Sequence, residues 1–124
     1  MAKFGYDSTE VGNFSVYPSK SGLNYSSDNF AISLSGTYTT HRYKWNSDSL
    51  LFQILFGHRD DDANEMRKWE FIPSLTSTSN NNSDYIPQLP MPVYINLWLR
   101  FGQPPSDGKE VEIIFKSFKY SSGR

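Results

Sequence analysis

Residues able to do chemistry cluster most clearly between Val93 and Phe101. Tyr94, Asn96, Trp98 and Arg100 alternate with Val93, Ile95, Leu97 and Leu99. In a strand, alternate residues share a face. One face would then carry two aromatic plates, an amide and a guanidinium, and the other would enter the core. Aromatic plates stack on the apolar C–H face of a sugar ring, and amide and guanidinium groups hydrogen-bond its hydroxyls. The other reading places Tyr94 and Trp98 beneath a covering loop, the commoner fate of large aromatics.

Other constellations are weaker. The oxygens of Asp60, Asp61, Asp62, Asn64 and Glu65 could ligate Ca²⁺, but the run lacks the glycine and spacing of an EF-hand loop and reads better as a solvated hairpin loop. His58 beside it completes no zinc spacing. His41 lies among β-branched residues, where a structural role is the usual one. Glycoside hydrolysis needs two carboxylates facing each other across a cleft. Glu110 and Glu112 share a face, but it is the solvated side of a strand whose Val111, Ile113 and Phe115 point to the core.

Short strands must position these groups. The alternation predicts strands over 14–17, 29–34, 37–45, 50–56, 66–72, 93–101 and 109–120, punctuated by prolines, glycines and Asn/Ser/Asp turns. The 50–56 run is apolar on both faces apart from Gln53, as a buried strand requires. Residues 58–65 and the Ser/Thr/Asn-rich stretch 74–84 read as loops. No segment has a helical period, so the fold class is all-β, an antiparallel sandwich.

Length and composition bound the possibilities. The chain has 124 residues, enough for a single domain over 1–124 or part of one. Its net charge of -1 offers no excess of cations for a nucleic-acid backbone. No apolar run has the length of a membrane span. Cysteine is absent, which excludes disulfides and thiolate chemistry.

Several segments, in order, resemble glycoside hydrolase family 16 proteins. Gly36–Trp45 resembles the family's His/Tyr…Trp strand, and Ser49–Gly57 the strand and turn after it. Val93–Leu99 resembles its Asn-Leu-Trp strand, and Pro104–Phe118 the closing strand of a bacterial branch. Gly12–Tyr17 looks like the strand that follows the catalytic one. The resemblance implies a concanavalin A-like lectin/glucanase jelly roll whose concave sheet binds β-linked glucans or galactans. It maps sugar contacts to Asn96 and Trp98. Asn13, Ser15 and Tyr17, which share a face, would also line the cleft. It further implies a secreted or periplasmic setting.

The family's catalytic Glu-x-Asp-x-Glu strand should precede Lys3–Asp7, where this sequence reads Met1-Ala2. The expectation is therefore a non-catalytic polysaccharide-binding relative on an incomplete sandwich. The alternatives are an enzyme fragment needing a complementary N-terminal half, and a structural half-sandwich that self-associates. No cofactor is expected. A homodimer follows from the strand edges that a partial sandwich leaves open.

Overall fold

The computed structural model describes residues 12–34, 36–76, 79, 81–96, 102–105, 107–110 and 112–122. Among them the chain is nearly all β, with two antiparallel sheets and almost no helix. β1 (Gly12–Val16) pairs with β2 (Ser26–Phe30). β3 (Thr39–Trp45), β4 (Leu50–Phe56) and β5 (Glu65–Phe71) form the second sheet, with β4 at its centre. No helix of the described residues is long and apolar enough to cross a membrane.

Register explains which side chains meet. Gly12, Phe14 and Val16 fall opposite Phe30, Asp28 and Ser26, so these six share the face turned toward the second sheet. On the second sheet, Leu50, Phe52 and Ile54 fall opposite Phe71, Trp69 and Arg67. The two faces meet through rings: Phe14 stacks 5.2 Å from Phe52 and 6.5 Å from Trp69. Val16, Leu50, Phe71, Tyr85 and Ile86 form one core cluster, and Phe14, Phe30 and Ile54 a second.

An ion pair crosses between the sheets. Arg67 of β5 grips Asp28 of β2 with two hydrogen bonds, the Nε–Oδ2 bond measuring 2.7 Å. The guanidinium also lies 5.7 Å from the centre of the Phe30 ring. Arg67 reaches inward by alternation with Trp69 and Phe71, and the β4–β5 ladder bulges just beyond it. Ile54 faces Arg67 while Leu55 faces Glu65, so Met66 is the extra residue. The bulge turns Glu65 to the outer face, where Gln53 Nε2 donates to its Oε2 at 2.7 Å. Gln53, the buried polar residue of the central strand, is satisfied in this way.

The connections include short helical turns. Pro73–Thr76 makes one helical turn at the start of the stretch expected to be loop, and Asn82–Asp84 a 3₁₀ turn inside it. Asn81 caps the second by accepting from Ser83 N. The turn is tied down because Tyr85 and Ile86 just beyond it plug the core, with Tyr85 OH donating to the Asn24 carbonyl at 3.0 Å.

Three sequence expectations are corrected. The strand expected at 29–34 is shifted to Ser26–Phe30, because its ladder is fixed by pairing with β1. Residues 93–96 form no strand, and Val93 and Ile95, expected in the core, are exposed. The described residues of 109–120 likewise form no strand, and Ile113 and Phe115 are exposed. Alternation signals a willingness to be a strand, but a ladder needs a neighbour with matching backbone groups. None of the described strands pairs with either segment.

Candidate functional site

The two sheets are unequal, and the mismatch makes a groove. β1 lies against β4 through Phe14 and Phe52, and β2 reaches β5 through Asp28 and Arg67. On β3, His41 and Tyr43 stay open beside β1, whereas Trp45 packs against the core. Asn13, Phe14, Ser15 and Tyr17 form one wall of this groove, and His41, Arg42, Tyr43, Phe52 and Gln53 the other, around a volume of about 580 Å³.

The groove mixes apolar plates and hydrogen-bonding groups. Phe14 and Phe52 form an aromatic base, and the Tyr43 ring lies 5.0 Å from that of Phe52. At one end Tyr17 stacks on Tyr25 with ring centres 5.3 Å apart. Both rings are well exposed, at 69% and 58%. Exposed, mutually braced tyrosines present large flat surfaces at little further cost in side-chain entropy. Asn13 and Ser15 form a polar string: Ser15 Oγ donates to Asn13 Oδ1, and Asn13 Nδ2 donates to Asn29 Oδ1 at 2.5 Å.

His41 and Arg42 sit on adjacent positions of β3 and face opposite ways. His41 Nε2 lies 3.1 Å from Thr39 Oγ1. The imidazole is open to solvent at one side and crowded at the other. That crowding holds its pKa below the ordinary histidine value, leaving it neutral at neutral pH. Burial likewise pushes the Tyr43 hydroxyl upward, so it remains a neutral donor and acceptor.

Arg42 is committed to the loop between β4 and β5. Its Nη1 pairs with Asp62 Oδ1 at 2.5 Å, and its Nη2 donates to the carbonyls of Arg59 and Asp61 at 3.0 and 2.6 Å. Thr40 adds a second tie, donating to the Gly57 carbonyl and accepting from Arg59 N. Gly57 turns the chain at φ 78° and Asn64 returns it at φ 59°, both in the left-handed region. The loop is thus organised by Arg42 and Thr40.

This arrangement bears on the calcium expectation. Asp62 pairs with Arg42, Asp61 accepts from Ala63 N, Asp60 pairs with Lys119 and Glu65 accepts from Gln53. Gln53 Nε2 also lies 3.5 Å from Asp62 Oδ1, so each of these carboxylates already has a partner within the chain. Among the described residues no group of three or more His, Cys, Asp or Glu side chains could hold a metal ion.

The residues expected at a site from the sequence are placed as follows. Asn13, Ser15 and Tyr17 line the groove together. Tyr94 and Asn96 are exposed on a segment without strand structure and are not among the lining residues. Trp98 lies outside the described residues. The lining of His41, Tyr43 and Gln53, and the Tyr17–Tyr25 pair, went unnoticed in the sequence. Thr39, His41, Tyr43 and Trp45 sharing one face was the available signal. What it could not show is that, among the described residues, His41 and Tyr43 stay exposed while Trp45 packs against the core.

No family model, no curated protein and no solved structure matches this chain.

Proposed function

We propose that the chain is a non-catalytic polysaccharide-binding protein, with its ligand lying in the groove between β1 and β3. The observation that carries this reading is the composition of the open groove. Tyr17, braced by Tyr25, and Tyr43 offer stacking plates, while Asn13, Ser15 and the neutral His41 offer donors and acceptors. An uncharged ligand rich in hydroxyls and flat C–H faces uses both kinds of group. None of the groove's described lining residues is Asp or Glu, so the paired carboxylates of glycoside hydrolysis have no counterpart there. Binding is thereby favoured over turnover. The resemblance of the strands to family 16 proteins makes β-linked glucans and galactans the first ligands to try, and on the same reading the two sheets belong to a concanavalin A-like jelly roll.

Affinity electrophoresis through laminarin, lichenan, agarose and xylan tests the proposal. At least one polysaccharide should retard the protein. Tyr17→Ala should relieve the retardation by weakening affinity about tenfold, as expected for one lost aromatic anchor worth ~1–2 kcal/mol. Equal mobility of both proteins in every gel would overturn the reading.

A further inference from the structure

The outer face of the first sheet is built from matched pairs. Register sets Asn13 opposite Asn29 and Ser15 opposite Ser27, and just past the ladder Tyr17 stacks on Tyr25. Directly opposed residues on one face are near neighbours. The face is therefore a strip of amides, hydroxyls and phenols. From Tyr25 to Asn29 it runs about 13 Å at the ordinary strand rise. Tyr17, Tyr25, Ser27 and Asn29 are exposed, and Asn13 and Ser15 are half-buried.

The chemistry of the strip selects its occupant. A covering sheet would need apolar side chains, but Phe14, Val16 and Phe30 turn to the other face and are buried there. A nucleic acid or an anionic membrane would need cations. None of the outward residues of β1 and β2 is charged. Uncharged amides and hydroxyls beside aromatic faces suit a chain of sugar rings.

The strip is continuous with the groove. Tyr17, Asn13 and Ser15 belong to both. The Tyr17 and Tyr25 rings lie at 23° to each other, so each covers one face of its neighbour and keeps the second. The polar string runs from Ser15 through Asn13 to Asn29, joining the groove wall to β2.

We propose that the polysaccharide site continues from the groove over the outer face of the first sheet, where Tyr25, Ser27 and Asn29 hold further sugar units of the same uncharged chain. This inference rests on the polysaccharide-binding reading of the groove and extends it to ligand length. A long chain occupies groove and strip together, and a short oligosaccharide fills the groove alone. Linking the two contacts in one ligand raises affinity without any new kind of contact.

Ser27→Asp and Asn29→Asp test the extension in the laminarin, lichenan, agarose and xylan gels. Both place a short carboxylate on the strip, outside the described groove lining. Asn29→Asp keeps the oxygen that accepts from Asn13 Nδ2. The ligand is uncharged, so the new charge acts by contact: a chain lying over it must strip its water. Each variant should weaken binding about tenfold in the gel that retards the unmodified protein. Both positions are exposed, so circular dichroism should show the sheets intact. Fragments of that polysaccharide should compete more strongly with the unmodified protein as they lengthen, and the two variants should lose this gain. Retardation relieved by Tyr17→Ala but unchanged in both strip variants would overturn the extension and leave the groove reading standing. So would competition independent of fragment length. Retardation in no gel would overturn both. A dimer in light scattering that either strip variant dissociates would show the face covered by a second copy, and would also overturn the extension.

Discussion

A Cβ on Gly12 would lie 2.2 Å from the Phe30 ring. The glycine is needed there for space, since its partner Phe30 lies directly across the ladder and fills the position where a side chain would go. Phe30 in turn packs 4.8 Å from Phe14 and beneath Arg67, so it cannot withdraw without disturbing both. Gly12→Ala should therefore cost about 1–3 kcal/mol, the usual toll of overpacking. A thermal melt should show the loss, and Phe30→Leu in the same chain should recover part of it. Unchanged melting of Gly12→Ala would contradict this packing account.

At the scale of elements, the β4–β5 connection is held from β3, by Thr40 and above all by Arg42. Arg42 reaches from β3 into the 57–64 loop and satisfies two carbonyls and a carboxylate there. Its side chain is partly shielded while Asp62 is well exposed, which discounts the charge term and leaves the carbonyl bonds as the main contribution. Arg42→Ala should cost about 1–2 kcal/mol and speed amide exchange within 57–64. Exchange in the middle of β4 should be unaffected, because the Leu50–Phe71 and Phe52–Trp69 pairs remain. Faster exchange spread evenly over β3, β4 and β5 would show that Arg42 supports the sheet rather than the loop.

For the molecule as a whole, the question is what holds two small sheets together. Rings do most of it, through Phe14, Phe52 and Trp69. The Arg67–Asp28 pair adds a directional tie: Asp28 is largely shielded from water, and Arg67 is partly open. Hydrogen bonding to Asp28 raises the Arg67 pKa further, so the arginine stays charged throughout the accessible pH range. Removing Asp28 leaves that charge between the sheets without its acceptor. Asp28→Ala should lower stability by about 1–3 kcal/mol in denaturant titration, the partial exposure of Arg67 keeping the loss below that of a fully buried pair. Arg67→Met, which removes charge and keeps bulk, should cost less. The reverse order would show that Arg67 matters through its other contacts.

By itself the sequence determined the β class and the individual strands of the second sheet. The expected strands at 37–45, 50–56 and 66–72 correspond to β3, β4 and β5, because alternation, β-branched residues and Gly57 or Pro73 stops act over a few neighbouring residues. It also set Asn13, Ser15 and Tyr17 in alternation on one strand and its continuation. Tertiary structure decided whatever depends on a distant partner. The strand-like runs 93–96 and 112–120 show this most plainly, since their local pattern resembles that of β3 yet no described strand lies beside them. The groove likewise depends on how the two sheets meet: His41 and Tyr43 line it beside β1, while Trp45 of the same face packs against the core. Alternation specifies which face a side chain takes. Whether that face meets a sheet, a ligand or water depends on long-range pairing, which local periodicity does not encode.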